Sequence, residues 1–129
     1  MRILLVDYSK QSQFFIKSML EKRSDIQVVN TIFSAANAEL YCLKNQIDLI
    51  LMDVMMPVMD GISATMAIRA MDREDAKKIP IIAMTANAFA EDAKACIEAG
   101  MDQHIAKPFD MDKVAVILKS WVGKTHSEN

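Results

Sequence analysis

Residues 3–6 of the chain read Ile-Leu-Leu-Val, residues 49–52 Leu-Ile-Leu-Met and residues 79–84 Ile-Pro-Ile-Ile-Ala-Met. A further run over 26–32 is interrupted by Gln27, Asn30 and Thr31, and a weak one covers 104–106. None of the stronger runs alternates strictly between apolar and polar residues. A strand with one wet face shows that alternation, whereas a strand covered on both faces does not. The pattern predicts a sheet with a layer packed on each side.

Helical spacing fills the intervals. Ser12, Phe15, Ile16, Met19 and Leu20 share one face of a first helix. Ser34 is the candidate N-cap of a second, which carries Ala35, Ala38 and Cys42 inward. A third is expected from near Gly61 through Ile62 and Met66, and Ala93, Cys96 and Ile97 mark a fourth that Gly100 would close. After the cap candidate Asp110, a fifth carries Met111, Val114, Leu118 and Trp121. Strand and helix alternate five times, which calls for parallel strands joined by right-handed crossovers in an α/β sandwich. The 129 residues, 52% hydrophobic, suffice for one core and not two. The expected organisation is one domain over 1–122 and a polar, fraying tail over 123–129.

Composition removes several function classes. Fifteen Lys and Arg against 17 Asp and Glu leave a net charge of −2, with no basic excess to collect nucleic-acid phosphates. The longest apolar stretch, 49–59, is broken by Asp53 and Pro57, so no membrane span is expected. Cys42 and Cys96 are far apart and outside any CxxC pair, and residues 1–6 are too short for a secretory leader. A reduced, cytoplasmic protein is the expectation.

In an open parallel sheet, ligands bind beyond the carboxyl ends of the strands, where strand order reverses. The polar residues expected there are Asp7, Asp53, Thr85 and Lys107, one after each of four strands. Two close carboxylates repel unless a cation or proton lies between them. Such oxygen donors suit Mg²⁺, which binds through one or two carboxylates and phosphate oxygens. A carboxylate can also attack phosphorus to give an aspartyl phosphate. A lysine and a threonine hydroxyl can then hold the transferred oxygens. The inventory suits a phosphoacceptor aspartate.

At this point a family resemblance becomes specific. Ile3-Leu4-Leu5-Val6-Asp7, Leu51-Met52-Asp53-Val54-Met55-Met56-Pro57-Val58-Met59-Asp60-Gly61, Met84-Thr85-Ala86-Asn87-Ala88 and Ala106-Lys107-Pro108-Phe109 occur in order over nearly the whole chain. They resemble the receiver domain of two-component response regulators. Met84 to Ala88 and Gly100-Met101-Asp102-Gln103-His104 are most similar to receivers of hybrid sensor histidine kinases. The resemblance implies a doubly wound (βα)5 domain, flavodoxin-like, with a five-stranded parallel sheet of order 2-1-3-4-5. It implies that Asp53 accepts a phosphoryl group from phosphohistidine in a phosphorelay. Mg²⁺ would be held by Asp7, Asp53 and the Met55 main-chain carbonyl, and phosphoryl oxygens by Thr85 and Lys107. Thr85 and His104 would form the switch, and the Lys107-Pro108 bond would be cis. The implied partners are a histidine kinase or histidine phosphotransfer domain as donor, and a downstream protein on the face of the fourth helix, fifth strand and fifth helix. Homodimerisation through that face is left open. So is whether the chain is free-standing or a piece of a hybrid kinase, since no output domain follows Trp121.

The chain departs from the family at three places. Tyr8 stands where an acid usually touches the metal, and an uncharged phenol is a poor ligand for a hard cation. That substitution keeps alive a pseudo-receiver, an interaction module with impaired metal binding and phosphorylation. His104 stands where the family often has an aromatic. Met55, two residues after the acceptor, cannot orient an attacking water, so any aspartyl phosphate should hydrolyse slowly. The same methionine stands against an Asp-nucleophile phosphatase, which places an acid there. A flavin site would want a glycine- or hydroxyl-rich loop after the first strand, and Tyr8-Ser9-Lys10-Gln11-Ser12 has no glycine. If Tyr8 weakens the metal site, Tyr8→Asp tightens Mg²⁺ binding in a calorimetric titration; an unchanged affinity removes the argument.

Overall fold

The computed structural model describes residues 1–32, 41–42, 45–54, 61–71, 77–85, 90–106 and 111–127, with only the backbone for 90–93, 111 and 122–127. Five strands are present, β1 (Arg2–Val6), β2 (Gln27–Ile32), β3 (Leu49–Asp53), β4 (Ile81–Thr85) and β5 (Gln103–Ala106). The helices are α1 (Lys10–Leu20), α2 (Gly61–Arg69), α3 (Ala90–Ala99) and α4 (Met111–Ser127). The third, fourth and fifth helices expected from the sequence are thus α2, α3 and α4. Of the second, Tyr41 and Cys42 are helical, while Ser34, Ala35 and Ala38 lie outside the described residues, as does the cap candidate Asp110.

All strand pairs are parallel, in the order β2-β1-β3-β4-β5. This is the expected doubly wound sheet. Each β3 and β4 residue is buried, because both sheet faces are covered. One face, with Leu4, Val6, Ile50, Met52, Ile81 and Ala83, packs on Cys42, on Ala64 and Ile68 of α2 and on Cys96 of α3. The other, with Ile3, Leu5, Leu49, Leu51, Ile82 and Met84, packs on Ile16 and Leu20 of α1 and on Val114 and Leu118 of α4. Both cysteines are buried thiols, as their helical positions suggest. β2 is an edge strand in which only Val28 and Ile32 are buried. A register shift between Ile3 and Leu4 moves β1 from opposite Val28 to opposite Asn30.

Several expectations are corrected. Phe15 was expected on the buried face of α1 and is 59% exposed; Gln13 is buried in its place beside Ile16 and Leu20. The helix turns its 13-16-20 stripe to the sheet, which swings Phe15 outward. Ile97 on α3 is likewise half-exposed, whereas Cys96 is fully buried. β4 begins at Ile81 rather than 79, because Pro80 has no N–H to donate; its carbonyl accepts from Ile50 N–H at 2.8 Å. α4 continues helical to Ser127, through most of the stretch expected as a polar tail.

α3 ends as anticipated at Gly100, whose φ of 112° suits glycine. Gly100 N–H donates to Ile97 O and Met101 N–H to Cys96 O, both at 3.0 Å, which closes a Schellman cap. Gly61 is needed for a different reason. It opens α2 against the end of β3, and a Cβ there would collide with the Asp53 carbonyl oxygen and press on Met52 and Val54. Gly61→Ala must therefore push α2 off β3. It should destabilise the fold by roughly 1–3 kcal/mol in denaturant unfolding.

Candidate functional site

The pairing register places the expected site residues. Val6 of β1 is opposite Met52 of β3, so Asp7 and Asp53 follow side by side at the carboxyl end of the sheet. Asp53 is opposite Met84, and Thr85 follows on β4. Thr85 is opposite Ala106, the last residue of β5 before Lys107. Asp7, Asp53 and Thr85 are thus gathered at one sheet end, and all three are buried. Lys107, Met55 and the Lys107-Pro108 bond lie outside the described residues.

The loop after β1 is organised around Asp7. Its N–H donates to Ile32 O at 2.9 Å, which extends the β1–β2 pairing by one residue. Its Oδ1 accepts from Ser9 N–H at 2.9 Å, an Asx turn. Ser9 then caps α1, its Oγ accepting from Ser12 N–H at 3.2 Å. The chain turns from strand to helix within three residues, and one Asp7 oxygen is held by the turn. Tyr8, inside that turn, is 59% exposed and stands at the rim.

Beyond β3, Val54 N–H donates to Met84 O at 3.1 Å and Gly61 N–H to Val54 O at 3.0 Å. These bonds fix the main chain on both sides of the Asp53 loop. Thr85 shows the most telling feature. Its Oγ1 is buried and has no hydrogen-bond partner among the described residues. A buried hydroxyl left without any partner is unfavourable by about 1–3 kcal/mol, so a water, an ion or another group is called on to satisfy it. His104 is opposite Ala83, two residues before Thr85, so His104 and Thr85 lie on the same sheet face, one pleat apart. His104 is half-buried on the edge strand.

Two carboxylates at adjacent strand ends fit Mg²⁺, which needs no more than one or two and fills its octahedron with water or phosphate oxygens. Among the described residues no group of three or more His, Cys, Asp or Glu side chains is placed to hold a metal. Asp7 and Asp53 are the carboxylates that could share a hard cation with a phosphate at this sheet end.

The model of the response regulator receiver domain matches residues 3–119. The chain belongs to the receiver domain family. It is 35% identical over 124 residues to the sensor protein GacS of Pseudomonas syringae pv. syringae, covering 95% of this chain and 13% of that protein. It is 35% identical over 151 residues to a probable histidine kinase 1 of Oryza sativa subsp. indica, covering 94% of this chain and 15% of that protein. The chain thus spans a small part of the curated relatives it matches. Among solved structures, the receiver domain of a sensor histidine kinase from Pseudomonas aeruginosa, with a magnesium ion coordinated in its active-site cleft, is 38% identical. It superposes with a TM-score of 0.84, covering 95% of this chain and 97% of that one. The similarity thus lies with receivers of hybrid kinases, and this receiver has its fold and sheet order.

Sequence reasoning did not single out Gln13 as part of the site. The spacing admits it, since a glutamine three residues before Ile16 and seven before Leu20 can lie on the inward stripe of α1, but it does not select Gln13 over Ser12 or Phe15. For Thr85, replacement by valine removes the unbonded hydroxyl and keeps the shape. Thr85→Val should leave stability unchanged or raise it by up to about 1 kcal/mol in thermal unfolding; a loss of that size would show that the hydroxyl is bonded at rest.

Proposed function

We propose that Asp53 accepts a phosphoryl group from a phosphohistidine and that the modified site switches a protein-binding face. The observation that carries this is the buried Thr85 hydroxyl, without a hydrogen-bond partner among the described residues, at the sheet end where Asp7 and Asp53 are buried. A phosphoryl oxygen on Asp53 supplies the acceptor that hydroxyl lacks. In the transfer, an Asp53 carboxylate oxygen attacks phosphorus, the new O–P bond forms, the P–N bond breaks and the imidazole leaves. Asp7, Asp53 and the Met55 carbonyl would hold Mg²⁺, which would supply positive charge to offset that of the incoming group. Lys107 adds a point charge for a second phosphoryl oxygen. The chain catalyses at most its own phosphorylation and dephosphorylation.

The switch couples the Thr85 hydroxyl to His104 on the same sheet face. Once the hydroxyl turns to the phosphoryl group, the side chain along β5 can repack, and the change is read on α3, β5 and α4. Ile97 on α3 and Val116 on α4, 50% and 69% exposed, supply apolar surface on those two helices for a downstream protein or a second copy. The donor is a histidine kinase or a histidine phosphotransfer domain, in keeping with the sensor kinases among the relatives. The compartment is the cytoplasm, and the receiver unit ends near residue 122.

Tyr8 favours a second reading, a pseudo-receiver that docks partners and takes little phosphate. Incubation with Mg²⁺ and a small phosphodonor, followed by intact-mass measurement, decides between them. The expected result is a gain of one phosphoryl group that is lost in Asp53→Asn. An unmodified mass at saturating donor would establish the pseudo-receiver.

A further inference from the structure

Gln13 is one of the few buried polar side chains, and it lies on α1 rather than at a strand end. Its Nε2 donates to Asp7 O at 2.6 Å and to Ile32 O at 3.1 Å. Both partners are carbonyl oxygens, so the end of the side chain that meets them must be the amide nitrogen. Ile32 O also accepts from Asp7 N–H. One amide group therefore clamps the carboxyl ends of β1 and β2 together, and Asp7 is held by both halves of its main chain. Its carboxylate is held separately, by Ser9 N–H. With backbone and Oδ1 fixed, little freedom is left in how Asp7 presents its other oxygen.

We infer that Gln13 is a positioning residue that orients the Asp7 carboxylate for a divalent cation by clamping the Asp7 and Ile32 carbonyls. The inference rests on the metal-site reading of Asp7 and Asp53 and adds a residue outside the strand ends to it. Chemistry makes glutamine specific here. A glutamate at this place cannot donate to either carbonyl and brings a buried charge beside Asp7. A methionine of similar length takes this donor from the Asp7 carbonyl and leaves Ile32 O with the Asp7 N–H alone. Asparagine keeps the donor but is one methylene shorter. A clamp that served stability alone would change unfolding and leave cation affinity untouched. A clamp that orients a ligand changes affinity in the folded protein as well.

The experiment titrates Mg²⁺ by calorimetry into the wild-type chain, Asp7→Asn, Gln13→Met, Gln13→Glu and Gln13→Asn, with thermal unfolding recorded for each. The expected result is that folded Gln13→Met and Gln13→Glu bind Mg²⁺ roughly tenfold or more weakly than wild type, with Gln13→Asn intermediate. If wild type and Asp7→Asn bind alike, the metal-site reading of Asp7 fails and the inference goes with it. If Asp7→Asn loses binding while the folded Gln13 variants keep wild-type affinity, that reading stands and the positioning role is overturned. Should the Gln13 variants not fold, nuclear magnetic resonance of the wild-type chain decides. The Gln13 side-chain amide protons should exchange slowly and shift with the same Mg²⁺ midpoint as the Asp7 amide. Exchange as fast as that of exposed Gln27, or no shift on saturation, overturns the inference.

Discussion

Parallel pairing of β1 between β2 and β3 is the constraint on which the site depends. The chain leaves β1 for β2 on one side and returns to β3 on the other. The loops after β1 and β3 must therefore diverge, and a crevice opens between them at the carboxyl end of the sheet. The first residue after β1 and the last of β3 face that crevice, and both are aspartates. Two carboxylates withdrawn from water at this distance in the register are unfavourable alone. Ser9 N–H donates to one Asp7 oxygen and shares the load on that carboxylate. The buried hydroxyl of Thr85 at the same level has no hydrogen-bond partner among the described residues. In the related receiver from Pseudomonas aeruginosa a magnesium ion is coordinated in the active-site cleft.

The opposite end of the sheet is organised for stability. The Arg69 guanidinium at the end of α2 donates to Ile79 O at 2.7 Å, to Gly100 O at 2.9 and 3.0 Å and to Asp102 Oδ2 at 2.9 Å. Asp102 in turn accepts from Ile81 N–H at 2.9 Å. Burial pushes the Arg69 guanidinium below its ordinary range, and the Asp102 charge beside it pulls the other way. One side chain thus ties α2, the cap of α3 and the starts of β4 and β5. Satisfied carbonyls surround it, whereas at the carboxyl end the Thr85 hydroxyl has no partner among the described residues.

Most of the architecture was legible because it depends on local pattern. Unalternating runs such as 49–52 can be quiet in water only if both faces are covered, and that requires helices on each side. The pocket residues were legible for a related reason, since a polar residue immediately after a buried strand has nowhere to go but the sheet end. The rotation of α1 was not. Ser12, Phe15 and Gln13 all lie within one residue of the apolar stripe, and propensity does not choose among them. In the folded chain Gln13 takes the inward place and donates to the Asp7 and Ile32 carbonyls at the ends of β1 and β2. The half-exposed Ile97 has the same origin, since the fully buried Cys96 takes the contact with the sheet.

The amino-acid order alone settled which segments are strands, that they run parallel beneath two helical layers, and that Asp7, Asp53 and Thr85 stand near their ends. Those features follow from hydrophobic period and from the short reach of a residue next to a strand. Contacts between residues far apart in the chain settled the rest: the Gln13 clamp on Asp7 and Ile32, the Arg69 tie to Gly100 and Asp102, and the packing of Gly61 against Asp53. A hydrogen bond or steric contact of that kind exists only once the sheet has brought its partners within a few ångströms. Nothing in the neighbouring residues of either partner records it.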